Sequence, residues 1–165
     1  MLLQRISRQL LLAMAFAVLT SLALALIPLG NIFSEGAEKK VSLITAALFW
    51  IFLILEQVFF WIANSGRKKI QKKAFGGRKL VKPTLGLISF GCNKEGRISD
   101  IVFFTTFIAT ICLIIFQVQN RWLVTTVLAL FLLSFTFHCI FNGTTYRYIK
   151  AFQNIKKEPK KHENR

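Results

Sequence analysis

Residues 41–63 read VSLITAALFWIFLILEQVFFWIA, a run of 23 residues with one charge, Glu56. As a helix rising ~1.5 Å per residue it would be about 35 Å long, enough to cross the ~30 Å hydrocarbon core of a bilayer. Trp61, near its end, suits the headgroup region, where an amphipathic ring meets both phases. Three further runs, 10–29, 101–118 and 122–141, contain no Asp, Glu, Lys or Arg. All four are apolar around the whole helix and lack the polar face of a soluble bundle. They predict an all-α integral membrane protein with four transmembrane helices packed as an antiparallel bundle. Residues 119–121 leave a three-residue link between the last two spans, which forces a tight hairpin.

Composition points the same way. Of 165 residues, 54% are hydrophobic and 17 are Phe, more apolar surface than an ordinary water-soluble domain can cover. The 22 Lys and Arg outnumber 7 Asp and Glu, for a formal charge of +15. Nineteen of the 22 fall before the first span, between the second and third, or after the fourth; three fall in the other two loops. The positive-inside rule then places both termini in the cytoplasm. The expected order is a cytoplasmic N-terminus (1–9), a first span (10–29), an outer loop (30–40), a second span (41–63) and a basic cytoplasmic loop (64–100). A third span (101–118), an outer turn (119–121), a fourth span (122–141) and a basic juxtamembrane helix with tail (142–165) follow. High Phe, Ile and Lys usage and the lack of an organelle address suit a bacterial plasma membrane. A competing reading takes the first run as a cleaved signal peptide, with Arg5 and Arg8 as its basic region and Ala23-Leu24-Ala25 as its cleavage site. Its apolar run is longer than such peptides use, which favours a retained span.

In the first span Ala13, Ala17, Ser21 and Ala25 recur every four residues, a strip of small side chains that lets another helix approach closely. Packing within the chain's own bundle is favoured over an interface with a second protein. Glu56 is the most unusual residue. It stands about seven residues, or ~10 Å, inside the cytoplasmic end of its span, at a depth where a carboxylate is costly. His138 of the fourth span is the expected partner. Glu56, Gln57 and His138 are therefore candidates for a proton-titrating or binding site, against the competing reading of a hydrogen-bonded Glu that specifies helix packing.

Arg67, Lys68, Lys69, Lys72, Lys73, Arg78, Lys79 and Lys82 form a basic stretch expected to contact anionic lipid, each nearby cation contributing ~1 kcal/mol. Leu85, Leu87, Ile88 and Phe90 follow as an apolar patch. Ser99 and Asp100 read as the N-cap of the third span. Asn142-Gly143 reads as a helix stop, followed by an amphipathic helix with Tyr148, Ile149, Phe152 and Ile155 directed into the membrane interface. The polar residues 156–165 are expected to be a disordered tail.

Cys92, Cys112 and Cys139 are widely separated and form no CxxC or zinc pattern, so no metal and no cofactor is expected. The basic stretch lacks interleaved aromatics, which argues against nucleic acid. No GxSxG, Walker loop or HExxH occurs, and no catalytic residue is assigned. Four spans with one intramembrane Glu are similar to small multidrug exporters in span count and residue type. There, however, the Glu stands in the first span rather than the second. The favoured function is a non-catalytic accessory or structural subunit of a membrane assembly, meeting a protein partner or another copy through its helices. The alternative is a small proton-coupled transporter or channel using Glu56.

Overall fold

The computed structural model describes residues 2–32, 35–74, 76 and 85–157, and every regular element among them is helical. The α-helices are α1 (Leu2–Ala25), α2 (Glu35–Ser65), α3 (Arg67–Ala74), α4 (Lys94–Ile115), α5 (Arg121–Phe141) and α6 (Thr144–Lys157). Two 3-10 segments, Ile27–Ile32 and Gly86–Ile88, lie between them. Four of the helices, α1, α2, α4 and α5, are long and apolar enough to cross a membrane.

Helix ends differ from the apolar runs for local reasons. α1 stops at Ala25 because Pro28 has no N–H to donate and its ring would clash with the carbonyl four residues back. α2 begins six residues before its apolar run, and α4 begins seven before its own. Polar residues continue a helix readily once it leaves the hydrocarbon. Between α4 and α5 the turn occupies 116–120 rather than 119–121. Gln117 adopts a left-handed φ of 47°, and the Val118 N–H returns to Leu113 O at 3.1 Å, closing the end of α4. Asn120 opens α5 by accepting from the Leu123 N–H at 3.2 Å.

α1 lies between α2 and α5, and α4 packs on α5 at the edge. Ala13, Ala17 and Ser21 are buried and Ala25 is half-buried, so the small-residue strip is used inside the chain. It admits large neighbours: Phe16 stacks on Phe59 with ring centroids 5.5 Å apart and meets Phe52 at 6.3 Å. Thr106 and Ser134 join α4 to α5 by a hydroxyl hydrogen bond of 2.9 Å. The flanking helices bury little. Leu43, Trp50 and Trp61 on α2 and Ile101, Ile108 and Ile114 on α4 are all more than half exposed, which suits side chains solvated by acyl chains.

The tightest apolar cluster sits at the end carrying α3 and α6. It joins Ile6, Leu10 and Ala13 of α1, Ala63 of α2, Ile140 of α5, and Tyr148 and Ile149 of α6. This corrects the expectation that Tyr148 and Ile149 of α6 are directed into the membrane interface. Tyr148 and Ile149 are buried in protein, and the Thr145 hydroxyl donates to Asn64 Oδ1 at 2.6 Å. An amphipathic face needs an apolar surface, and the ends of α1, α2 and α5 provide one before lipid does. Phe152 is half-buried, while the side chain of Ile155 and residues 158–165, most of the expected tail, lie outside the described residues. The ion pair of Lys150 with Glu95 adds an exposed tie from α6 to α4. Donating to the Glu95 carboxylate holds the Lys150 ammonium above the usual lysine range.

Ile6→Ala should lower stability by ~2–4 kcal/mol, because it opens a cavity where four helices meet. Thermal unfolding in mild detergent would show the loss, whereas Leu43→Ala, on the exposed face of α2, should shift the transition little.

Candidate functional site

Two polar clusters are buried among the apolar helices, and they separate the residues that the sequence suggested would meet. Glu56 is 3% exposed. Its Oε1 accepts from the Thr136 hydroxyl at 2.7 Å, while the Thr20 hydroxyl donates along its own helix to Phe16 O at 2.8 Å. Gln57 is exposed and reaches Oε1 only at a long 3.4 Å. Among the described residues the close partner of Glu56 is thus one hydroxyl, from α5. Hydrogen bonds of this kind between membrane helices contribute roughly 0.6–1.7 kcal/mol each and fix register more than they add stability.

His138 does not reach Glu56. Thr136 and His138 are two residues apart on α5, which turns them about 200° from one another around the axis. Thr136 therefore faces α2, while His138 faces α4 and meets Asp100. The His138 Nδ1 to Asp100 Oδ1 distance is 2.6 Å, and the imidazole is completely buried. Asn142, one helical turn further on, donates from Nδ2 to the same Oδ1 at 2.7 Å. The Gly91 N–H donates to Asp100 Oδ2 at 2.6 Å.

The segment before α4 is drawn into this cluster. Asn142 Oδ1 accepts from the Cys92 N–H at 3.1 Å, and Asn93 Nδ2 donates to Phe141 O at 2.7 Å. Asn93 also caps α4, accepting from the Gly96 N–H at 2.7 Å. The cap is therefore Asn93, not Ser99 and Asp100, because the helix starts about two turns earlier than the apolar run. Released from capping, Asp100 becomes the buried acceptor that joins α4, α5 and the segment at 85–93. Phe90 and Phe103 flank the imidazole with ring centroids at 4.8 and 5.0 Å. Gly86 fits against the Cys139 carbonyl so closely that a Cβ would collide with it.

The Asp–His pair resembles the orienting half of a catalytic triad, but neither ring nitrogen is aimed at a nucleophile. Nδ1 is held by Asp100, and Nε2 faces Leu87 O at 3.4 Å. Among the described residues, no group of three His, Cys, Asp or Glu side chains converges to hold a metal ion. The clefts at Pro28 (about 380 Å³), along α4 and α5 (about 390 Å³) and at Asn64 (about 370 Å³) are lined by none of Glu56, Asp100 and His138.

Of the basic residues, Arg67 is half-buried and Lys68, Lys69 and Lys72 are exposed on the first helical segment after α2. The Lys73 side chain and Arg78, Lys79 and Lys82 lie outside the described residues. Comparison with protein-family models, curated proteins and solved structures finds no match to this chain.

Asp100, Asn142 and Thr136 were missed as site residues. His138 and Asn142 stand four apart on one helix face, a spacing that could have revealed a shared acceptor. Asp100→Ala leaves the Gly91 N–H, the imidazole and the Asn142 amide without their acceptor. It should cost roughly 3 kcal/mol or more. Hydrogen exchange would show residues 91–93 opening with it, whereas Asp100→Asn, which keeps one acceptor oxygen, should lose less.

Proposed function

We propose that this chain is a non-catalytic subunit of a membrane assembly, built to hold a fixed helical scaffold and to offer its flanking helices to neighbours. The observation that carries the reading is that both polar clusters are buried and bonded within the chain. Glu56 accepts from the Thr136 hydroxyl and Asp100 from three donors, and none of the described clefts is lined by either. A transported solute or a reacting group needs an approach. By contrast, the outer faces of α2 and α4 carry broad exposed apolar surface.

In this reading the four spans form an antiparallel bundle in a bacterial plasma membrane, with both termini and the α3–α6 end in the cytoplasm. The distribution of Lys and Arg supports that orientation. Retention of α1 is supported by its place between α2 and α5, since removing it would strip Ile6, Leu10 and Ala13 from the main cluster. Arg67 and its lysine neighbours then face anionic headgroups. Proton-coupled transport is the second reading, favoured by one observation: Glu56 is a carboxyl buried within a span without a cationic partner among the described residues.

Affinity purification of the full chain in mild detergent should bring down a stoichiometric membrane partner or a defined homo-oligomer. In proteoliposomes, proton flux should stay at background for both the natural chain and Glu56→Gln. A monodisperse single chain whose proton flux is abolished by Glu56→Gln would overturn the assembly reading in favour of transport.

A further inference from the structure

The cleft at the α3–α6 end has a chemistry that the polar clusters lack. It encloses about 370 Å³ where α2 ends, α6 begins and the Gly86–Ile88 turn returns to the bundle. Phe60 lines its apolar side one turn before Asn64 and two before Arg67, and Leu85 and Leu87 close it from the opposite wall. Leu85 and Leu87 remain largely exposed, so the cleft is open beside apolar surface. Its polar lining is rich in donors. Asn64 Oδ1 already accepts from Thr145, which leaves the Nδ2 group of the same amide to donate elsewhere. Arg67 makes no hydrogen bond or ion pair among the described residues, and no acidic side chain lines the cleft.

We infer that this cleft binds the phosphate of one anionic phospholipid, with its glycerol and upper acyl chain against Phe60, Leu85 and Leu87. The guanidinium fork of Arg67 matches two phosphate oxygens, and the Asn64 amide donates to a third position. With no acidic side chain in the lining, a monoanionic phosphodiester meets these donors without a competing carboxylate. The flanking Lys68, Lys69 and Lys72 raise the local positive potential, which favours phosphatidylglycerol and disfavours the trimethylammonium of phosphatidylcholine. The lipid source is chosen over a soluble phosphate because the wall beside the donors is apolar and continuous with the bilayer-facing end of α2. This site sharpens the headgroup contact proposed for the basic segment into one stoichiometric position. It depends on that bilayer placement and not on the assembly role.

Native mass spectrometry of the full chain, delipidated in detergent and titrated with phosphatidylglycerol or phosphatidylcholine, tests it. One phosphatidylglycerol should be retained at saturation, with phosphatidylcholine bound more weakly. Arg67→Gln should weaken that single binding step roughly tenfold, and Arg67→Lys by less, because lysine keeps the charge without the fork. Lys68→Gln removes the same charge outside the cleft and should change it by no more than about twofold. Equal losses from Arg67→Gln and Lys68→Gln, or no step that distinguishes the two lipids, would overturn the site in favour of diffuse attraction. Displacement of the lipid by millimolar inorganic phosphate would overturn the lipid assignment. Asn64→Leu, with its melting temperature measured alongside, gives a second probe of the same lining. Loss of a protein partner in purification would leave these lipid counts unchanged, so the two proposals fail separately.

Discussion

A carboxylate buried among apolar helices is expensive unless donors reach it, and Asp100 uses three hydrogen bonds to hold three pieces of chain together. Its two oxygens take hydrogen bonds from the His138 imidazole and Asn142 amide of α5 and from the Gly91 backbone. Because α4 carries Asp100 while packing on α5 alone among the long helices, this knot and the Thr106–Ser134 bond fix its register. The segment from Gly86 to Asn93 is fixed by the same acceptor, which places Phe90 on the imidazole and Leu87 in the lining of the cleft beside Asn64. Losing Asp100 would leave unmatched donors in an apolar setting, a larger penalty than the bonds themselves contribute.

The architecture around that knot is asymmetric. α1 and α5 are the packed centre, and α2 and α4 are edges with wide apolar faces. Small side chains at Ala13, Ala17 and Ser21 bring α1 close to its neighbours, and the Phe16–Phe59 stack fills the space beside them. The Ser21 hydroxyl is buried without a hydrogen-bond partner among the described residues, a cost accepted for close approach. Polar contacts then select one arrangement among many apolar ones of similar energy: Glu56 with Thr136 between α2 and α5, Thr145 with Asn64 between α6 and α2.

The spans were legible in the sequence because hydrocarbon thickness imposes a length that few other constraints produce. Their ends were less legible, since a helix continues past the apolar run until a proline, a capping Asn or a left-handed residue stops it. Pro28, Asn93, Asn120 and Gln117 decide those ends. Glu56 stood out because a lone acid in an apolar run is visible without any structure. Its partner was not, because a hydroxyl such as that of Thr136 leaves no charge pattern to pair with it. Pairing His138 with Glu56 matched depth but ignored rotation around α5, and two residues of rotation decide which helix a side chain meets. The amphipathic pattern of α6 was readable, but the pattern alone does not distinguish a lipid surface from a protein one.

The docking of α6 on α1 links in time two segments far apart in the chain. Ile6 waits for Tyr148 and Ile149, which emerge roughly 140 residues later, a delay of about 7–30 seconds at ordinary rates of synthesis. During that interval α1 can satisfy its face toward α2 but not the face that will receive α5 and α6. The nascent chain therefore passes through a half-assembled stage in which α1 carries an unmatched face, which α5 largely covers and α6 completes at the Ile6 end.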